Sequence, residues 1–175
     1  MYDAIMMTVL LAHSSAIQAG GHLLLIDFGL SIYFKDAWGE HAALNVTPNL
    51  FSGTPIYASL WSHQGMSSSR RNDLESLGYT ILHLCLDGGL PWANLPHASK
   101  KLLKIRAEIH ECKKVNSIAS MCSKLPLPVA RAICVYFNSV RALGFDERPD
   151  CALLQFPTLI NKHLYKLTIV PQMLL

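Results

Sequence analysis

Asp27, followed by Phe28 and Gly29, closes a short apolar run at residues 23–26. A carboxylate in the turn that follows a short buried strand offers hard oxygen donors, the kind that a cation such as Mg²⁺ takes. Gly29 allows the neighbouring backbone conformations that a side chain would forbid. Asp3 is the only other carboxylate up to that point. Further along, Arg70 and Arg71 stand at the start of a predicted helix, where the helix dipole disfavours positive charge, so they call either for anionic partners or for full solvation. Asp73 in the same first turn is favoured by that dipole, by a few tenths to about 1 kcal/mol. His83 with Cys85 and His110 with Cys112 look like metal-ligand pairs, but no second pair sits at finger-like spacing, and zinc is not expected. The five cysteines, Cys85, Cys112, Cys122, Cys134 and Cys151, are odd in number and lack a CxxC pair. That usage fits a reduced intracellular set of buried, inert thiols.

The elements that must position these residues are mostly helices. Residues 23–26 read as a buried strand and residues 32–34 as a second one. Residues 35–55 lose all periodicity while Gly, Pro, Asn and Asp recur, the pattern of a long functional loop. Ser67, Ser68 and Ser69 offer N-cap oxygens ahead of Arg70. Apolar residues then cover nearly every face of residues 74–86, among them Leu74, Leu77, Tyr79, Ile81, Leu82, Leu84 and Cys85, ahead of a stop at Gly88 and Gly89. A helix apolar all round is a buried helix, so this one is expected at the centre. Residues 99–111 and 115–125 are weaker helical segments. Residues 128–143 are amphipathic, with Val129, Ile133, Tyr136, Phe137 and Val140 on one core-facing stripe. Pro149 suits the first position of another helix, with Asp150 in its first turn and Pro157 bending or stopping it.

Composition sets the frame. The chain has 175 residues, 51% hydrophobic and 15% charged, with net charge +3 and mean hydropathy +0.26. Enough apolar surface is present to offset chain entropy, which excludes wholesale disorder. One domain of this length buries on the order of 70% of its unfolded surface. No window carries five or more like charges, so neither a nucleic-acid tail nor a polybasic membrane patch stands out. The first apolar run, residues 5–12, is shorter than the roughly 20 residues of a spanning helix and has no basic leader. The expectation is a soluble, cytoplasmic or nuclear protein with no nucleic-acid or membrane partner.

Four separated segments share one resemblance. Asp27-Phe28-Gly29 is followed by GTPIYAS at residues 53–59, SRRNDLESLGY at 69–79 and LPW at 90–92. In that order and spacing they resemble the large lobe of a protein kinase, and SRRNDLESLGY is similar to the casein kinase I family, including its vaccinia-related branch. NSVRALGFDERPDCALL at 138–154 is similar to that family's closing helices. The resemblance implies a mainly α, kinase-like C-terminal lobe at residues 22–162 with a short strand pair at its front, a divergent or truncated leader at 1–21 and a tail at 163–175. It implies Mg-ATP as cofactor with Asp27 as the Mg²⁺ ligand. Gly53 and Thr54 would belong to the loop facing a protein substrate, and Asp73, braced by its helix start with Arg70 and Arg71, would support the catalytic loop.

The pattern departs from the family in ways that bear on activity. A kinase needs a Gly-rich cover over the phosphates, a strand Lys paired with a helix Glu, and a catalytic loop with a base Asp and a metal-binding Asn. The 26 residues ahead of Asp27 hold no GxGxxG and no Lys. If Asp3 were the base, the family's Lys would fall on Ile5 and its Asn on Thr8. Ile56 replaces the family's anion-binding Arg. Trp61 stands where most kinases place a Glu that pairs with a late Arg, here Arg148, but the casein kinase I family lacks that Glu too, which supports the resemblance. The expectation is an inactive fragment lacking the small lobe, or a pseudokinase-type module that binds a protein partner. Apolar surface around residues 23–26 is then expected to drive self-association. Sedimentation at micromolar concentration should show it, and a clean monomer that binds no hydrophobic dye would contradict it.

Overall fold

The computed structural model describes residues 4–5, 31–47, 51, 53–87, 89–95, 102–150 and 154. The expected strand at 23–26, the Asp27 turn, Asp3, Gly88, Ser99, Cys151, Pro157 and the 163–175 tail lie outside the described residues.

The described architecture is mainly helical. Two short strands, β1 (Ala4–Ile5) and β2 (Ile32–Tyr33), pair antiparallel with Ala4 opposite Tyr33 and Ile5 opposite Ile32. The expected second strand thus forms over its first two residues, and its partner comes from the segment assigned to the leader. Ile5, Ile32 and Tyr33 are the β-branched and aromatic types that fit a pleated surface. Phe34 follows with its ring buried.

The described residues of the 35–55 segment form short clasps rather than regular elements. Lys35 and His41 form a single antiparallel bridge. Asp36 Oδ1 closes the turn between them by accepting from the N–H groups of Trp38 and Glu40, both at 2.9 Å. Asn45, Val46 and Thr47 are held against residues 65–67, with Thr47 N–H on Gly65 O at 2.9 Å and Ser67 N–H on Asn45 O at 2.8 Å.

Helices α1 (Leu60–His63), α2 (Arg70–Cys85), α3 (Leu102–Val115), α4 (Ile118–Met121) and α5 (Leu127–Ala142) follow, with a 3₁₀ turn at Cys122–Lys124 after α4. No residue from 70 to 86 is exposed, as the all-round apolar pattern requires. Ser69 does occupy the N-cap position of α2, but its hydroxyl donates to Asn72 Oδ1 at 3.0 Å instead of capping the backbone. The helix stops at Cys85, short of the two glycines, and the left-handed residue that ends it is Asp87 at φ 49°. Aspartate tolerates that region better than most side chains.

The boundary between the two weaker segments also moves. α3 runs on through Val115, and Asn116 and Ser117 separate it from α4, where Ser117 Oγ accepts from Ser120 N–H at 3.1 Å. A side chain that caps the next helix is a stronger stop than the loss of periodicity before it.

Helix α5 buries the expected stripe of Val129, Ile133, Tyr136, Phe137 and Val140. It packs on α2, while α1 touches α2 and α3, and α4 lies against α5. The core they enclose includes Trp92, Tyr79, Phe137, Leu82, Leu90 and Ile109. Near the end of the described chain, Leu154 N–H closes a turn on Asp150 O at 3.2 Å. No helix of the described residues is long and apolar enough to cross a membrane.

Helices α2 and α5 approach each other closely at Gly78. A Cβ there would lie 2.9 Å from both Phe137 Cζ and Tyr136 Cε1, and both rings are buried. Tyr136 is further tied by its hydroxyl, which donates to Leu74 O at 2.8 Å. Gly78→Ala should therefore destabilise the fold by about 1–3 kcal/mol, the usual cost of overpacking. Urea melts would check it, and a variant as stable as the parent would place the helices farther apart than described.

Candidate functional site

The residues with the densest polar contacts surround the loop at 53–59. Gly53 has φ 97°, a left-handed conformation that favours glycine. From there the chain turns on Thr54, whose carbonyl accepts from the N–H groups of Tyr57 and Ala58, both at 3.1 Å. Gly53 and Thr54 are exposed. The following carbonyls are engaged by side chains from other elements. Pro55 O accepts from Lys113 Nζ at 3.0 Å, Ile56 O from Trp92 Nε1 at 2.9 Å, and Ala58 O from Lys113 Nζ at 2.6 Å.

The loop leads directly into α1. Ser59 Oγ caps that helix by accepting from Ser62 N–H at 3.0 Å. Ser59 Oγ also meets Ser62 Oγ at 2.8 Å, Ser62 Oγ accepts from Asn72 Nδ2 at 3.3 Å, and Asn72 Oδ1 accepts from Ser69. This buried relay ties the start of α1 to the start of α2.

Glu75 stands at the centre. It is fully buried, and its Oε2 accepts from Leu60 N–H at 2.9 Å. Its Oε1 accepts from Arg141 Nε at 2.8 Å and from Tyr79 Oη at 3.4 Å, while Arg141 Nη2 donates to Tyr79 Oη at 2.9 Å. Burial is the main cause that pushes the Tyr79 phenol well up, with Glu75 adding and Arg141 opposing, so the hydroxyl keeps its proton. For Arg141 burial pulls the other way, but Tyr79 and Glu75 outweigh it and the guanidinium is held above its ordinary range. Lys113 Nζ lies 4.4 Å from the Tyr79 ring centroid and 5.3 Å from that of Trp92.

A histidine pair borders the network. His63 and His110 stack with centroids 5.3 Å apart and planes 4° off parallel. His63 Nε2 lies 3.2 Å from Pro55 O and 3.3 Å from Lys113 Nζ. Burial, then the charges of Lys113 and His110, lower the His63 imidazole to about 3 despite the contact with Pro55 O. His110 is lowered as well, first by burial and then by Lys114.

The residues singled out from the sequence distribute as follows. Gly53 and Thr54 lie on the outer side of the loop. Asp73 is half-buried in the first turn of α2. Asp27 and Asp3, and the catalytic loop that Asp73 would brace, lie outside the described residues, while Ile5 sits in β1 opposite Ile32. Arg70 and Arg71 donate to main-chain carbonyls and lie against aromatic faces, and the charge of Glu75 also acts on Arg71. Arg71 Nη1 donates to Leu143 O at 3.1 Å, and its guanidinium lies 4.3 Å from the Trp61 ring. Arg70 Nη2 donates to Asp146 O at 2.6 Å, with its guanidinium 4.5 Å from the Phe34 ring. Trp61 therefore carries Arg71, and Arg148 is exposed.

Both His–Cys pairs are occupied in ring packing through His110 on His63 and His83 edge-on to Tyr57 at 5.4 Å. Among the described residues no group of three or more His, Cys, Asp or Glu could hold a metal ion. The thiols of Cys85, Cys112, Cys122 and Cys134 are free, and burial pushes Cys122 up to about 12 with Cys134 and Cys85 adding, which leaves it a poor nucleophile.

Sequence reasoning missed Glu75, Lys113, Arg141 and His63. The available signal was a charge inside an apolar pattern: Glu75 lies in a helix apolar on every face, and Lys113 sits four residues after the buried Ile109. Lysine and glutamate are almost never fully buried unless paired. No protein-family model matches the sequence.

The His63 shift carries a sign. The folded value of about 3 is below the ordinary imidazole value of 6.5, so as pH falls the unfolded chain takes up a proton before the folded one does. The stability from a neutral His63 is present above pH 6.5 and is lost progressively as pH falls toward 3. Denaturant melts across that window should show the loss, and His63→Gln should flatten it. An equal slope in both proteins would mean that His63 protonates freely in the fold.

Proposed function

We propose that the chain is the large lobe of a casein kinase I-like serine/threonine kinase, with residues 53–59 as its protein-substrate-facing loop. The observation that carries the reading is the convergence of the separated motifs on one network. One carbonyl of GTPIYAS, Ile56 O, is engaged by Trp92 of LPW, and Leu60 N–H, of the residue after that motif, by Glu75 of SRRNDLESLGY. Arg141 of the closing NSVRALGFDERPDCALL segment then neutralises Glu75. Segments far apart in sequence thus hold one short loop in one shape, with Gly53 and Thr54 outward.

Phosphoryl transfer depends on holding nucleotide, metal and acceptor hydroxyl in line. Mg-ATP, held at Asp27, would supply the phosphoryl group. The chain's own contribution is a rigid face that orients a peptide, and the Gly-rich cover and strand Lys would have to come from residues other than these. A second reading, a pseudokinase-type interaction module, is favoured by the exposed apolar side chains of Ile32, Tyr33, Trp38, Leu44 and Val46, with Trp38 86% exposed at the tip of its turn.

The test compares the chain alone with the chain joined behind a casein kinase I-type small lobe. Alone, it should bind Mg-ATP no more tightly than roughly millimolar, about 4 kcal/mol, and transfer no label to casein. Joined, it should phosphorylate casein, and Asp27→Asn should remove that activity. A folded fusion that neither binds Mg-ATP nor transfers phosphate would overturn the kinase reading. Micromolar binding by the chain alone, abolished by Asp27→Asn, would mean that its leading residues build a nucleotide site of their own.

A further inference from the structure

Lys113 is 2% exposed and projects from α3 into a space walled by Tyr79, Trp92 and His63. A buried lysine normally meets a carboxylate, yet Nζ donates to two main-chain carbonyls, those of Pro55 and Ala58, and its further contact is His63 Nε2 at 3.3 Å. Pro55 is the second residue of the turn that Thr54 O closes and Ala58 its last, so a single nitrogen spans that turn. Trp92 Nε1 holds the carbonyl between them, Ile56 O.

A leucine or methionine would fill the same volume without burying a cation. It would also leave Ala58 O without its donor and Pro55 O with only the His63 Nε2 contact, which is the cost that retains a donor at this position. The groups facing Nζ are Glu75 and Tyr79 from α2, Arg141 from α5, His63 from α1 and the Trp92 ring. An amine carries two N–H groups and an ammonium three, so both carbonyls keep a donor in either protonation state.

We propose that Lys113 is a positioning residue, which by turning the Pro55 and Ala58 carbonyls inward sets the shape in which Gly53 and Thr54 meet the main chain of a bound peptide. The inference rests on the reading of residues 53–59 as the peptide-facing loop. Lys113 touches no substrate and acts only through that loop, from a helix more than fifty residues away in sequence.

The experiment uses Lys113→Met in the full chain, with Lys113→Gln, which keeps a shorter donor, as the second variant should the first fail to fold. Three readouts are taken: hydrogen exchange by residue, the resonance of the Trp92 indole N–H, and binding of a fluorescein-labelled casein-derived serine peptide. The expected result is exchange at residues 56–60 faster by about tenfold, the loss of roughly one hydrogen bond. The indole resonance should shift and peptide affinity fall by a similar factor, while α2 and α5 keep their protection. A loop as protected as in the parent, or exchange that rises equally in α5, would overturn the positioning role whatever the peptide does. A loop that opens while the parent chain binds no peptide would uphold the clasp and overturn the peptide-facing reading.

Discussion

A carboxylate with no surface open to water is tolerated only when both its charge and its lone pairs are met, and Glu75 imposes that condition on everything around it. Arg141 meets the charge, which fixes how far α5 reaches along α2. Leu60 N–H meets a lone pair, which fixes where α1 begins. Tyr79 is pinned between carboxylate and guanidinium, so its ring stands edge-on to Trp92 at 5.4 Å and forms the wall along which Lys113 lies. The shape of the loop at 53–59, which is exposed at Gly53 and Thr54, thus descends, contact by contact, from one buried acid.

That network orients the fold more than it stabilises it. A buried ion pair roughly breaks even against an apolar substitute of the same volume, and a hydrogen bond contributes about 0.5–1.5 kcal/mol net. Each fully buried large apolar side chain contributes about 1.5–3 kcal/mol. The stripe of α5, with Trp92, Leu82 and Ile109 around it, therefore supplies most of the stability. Apolar packing alone would accept several rotations of α1 and several conformations of the loop. The polar contacts accept one, because any other leaves Glu75 or a carbonyl unpaired.

The two arginines at the head of α2 show how charges unfavourable within one element are resolved by another. Their own helix dipole opposes them, but Arg71 reaches Leu143, the C-cap residue of α5, where the carbonyls carry partial negative charge. Trp61 and Phe34 offer ring faces to the guanidinium groups, each worth about 0.5–2 kcal/mol. The planar guanidinium can stack and donate at once, which an ammonium cannot. Burial lowers Arg71 from its ordinary value and Glu75 partly restores it, without changing its charge at neutral pH.

The two long core helices, α2 and α5, were legible in the sequence, because their signal is local, whereas the single turn of α1 was not. The α5 stripe follows from spacings of three and four residues, and the central place of α2 from apolar residues on every face. The local signal ran out at the ends of elements, where the stop at Asp87 and the separation of α3 from α4 by Ser117 turned on single side chains. The partners lay beyond it altogether. Glu75 and Arg141 are 66 residues apart, Lys113 and Pro55 are 58 apart, and Trp92 and Ile56 are 36 apart. By itself the sequence determined which residues had to be buried, since burial follows from residue type and period. Only the tertiary structure decided which buried polar group answers which, since that depends on the relative placement of helices, and no spacing along one chain segment encodes it.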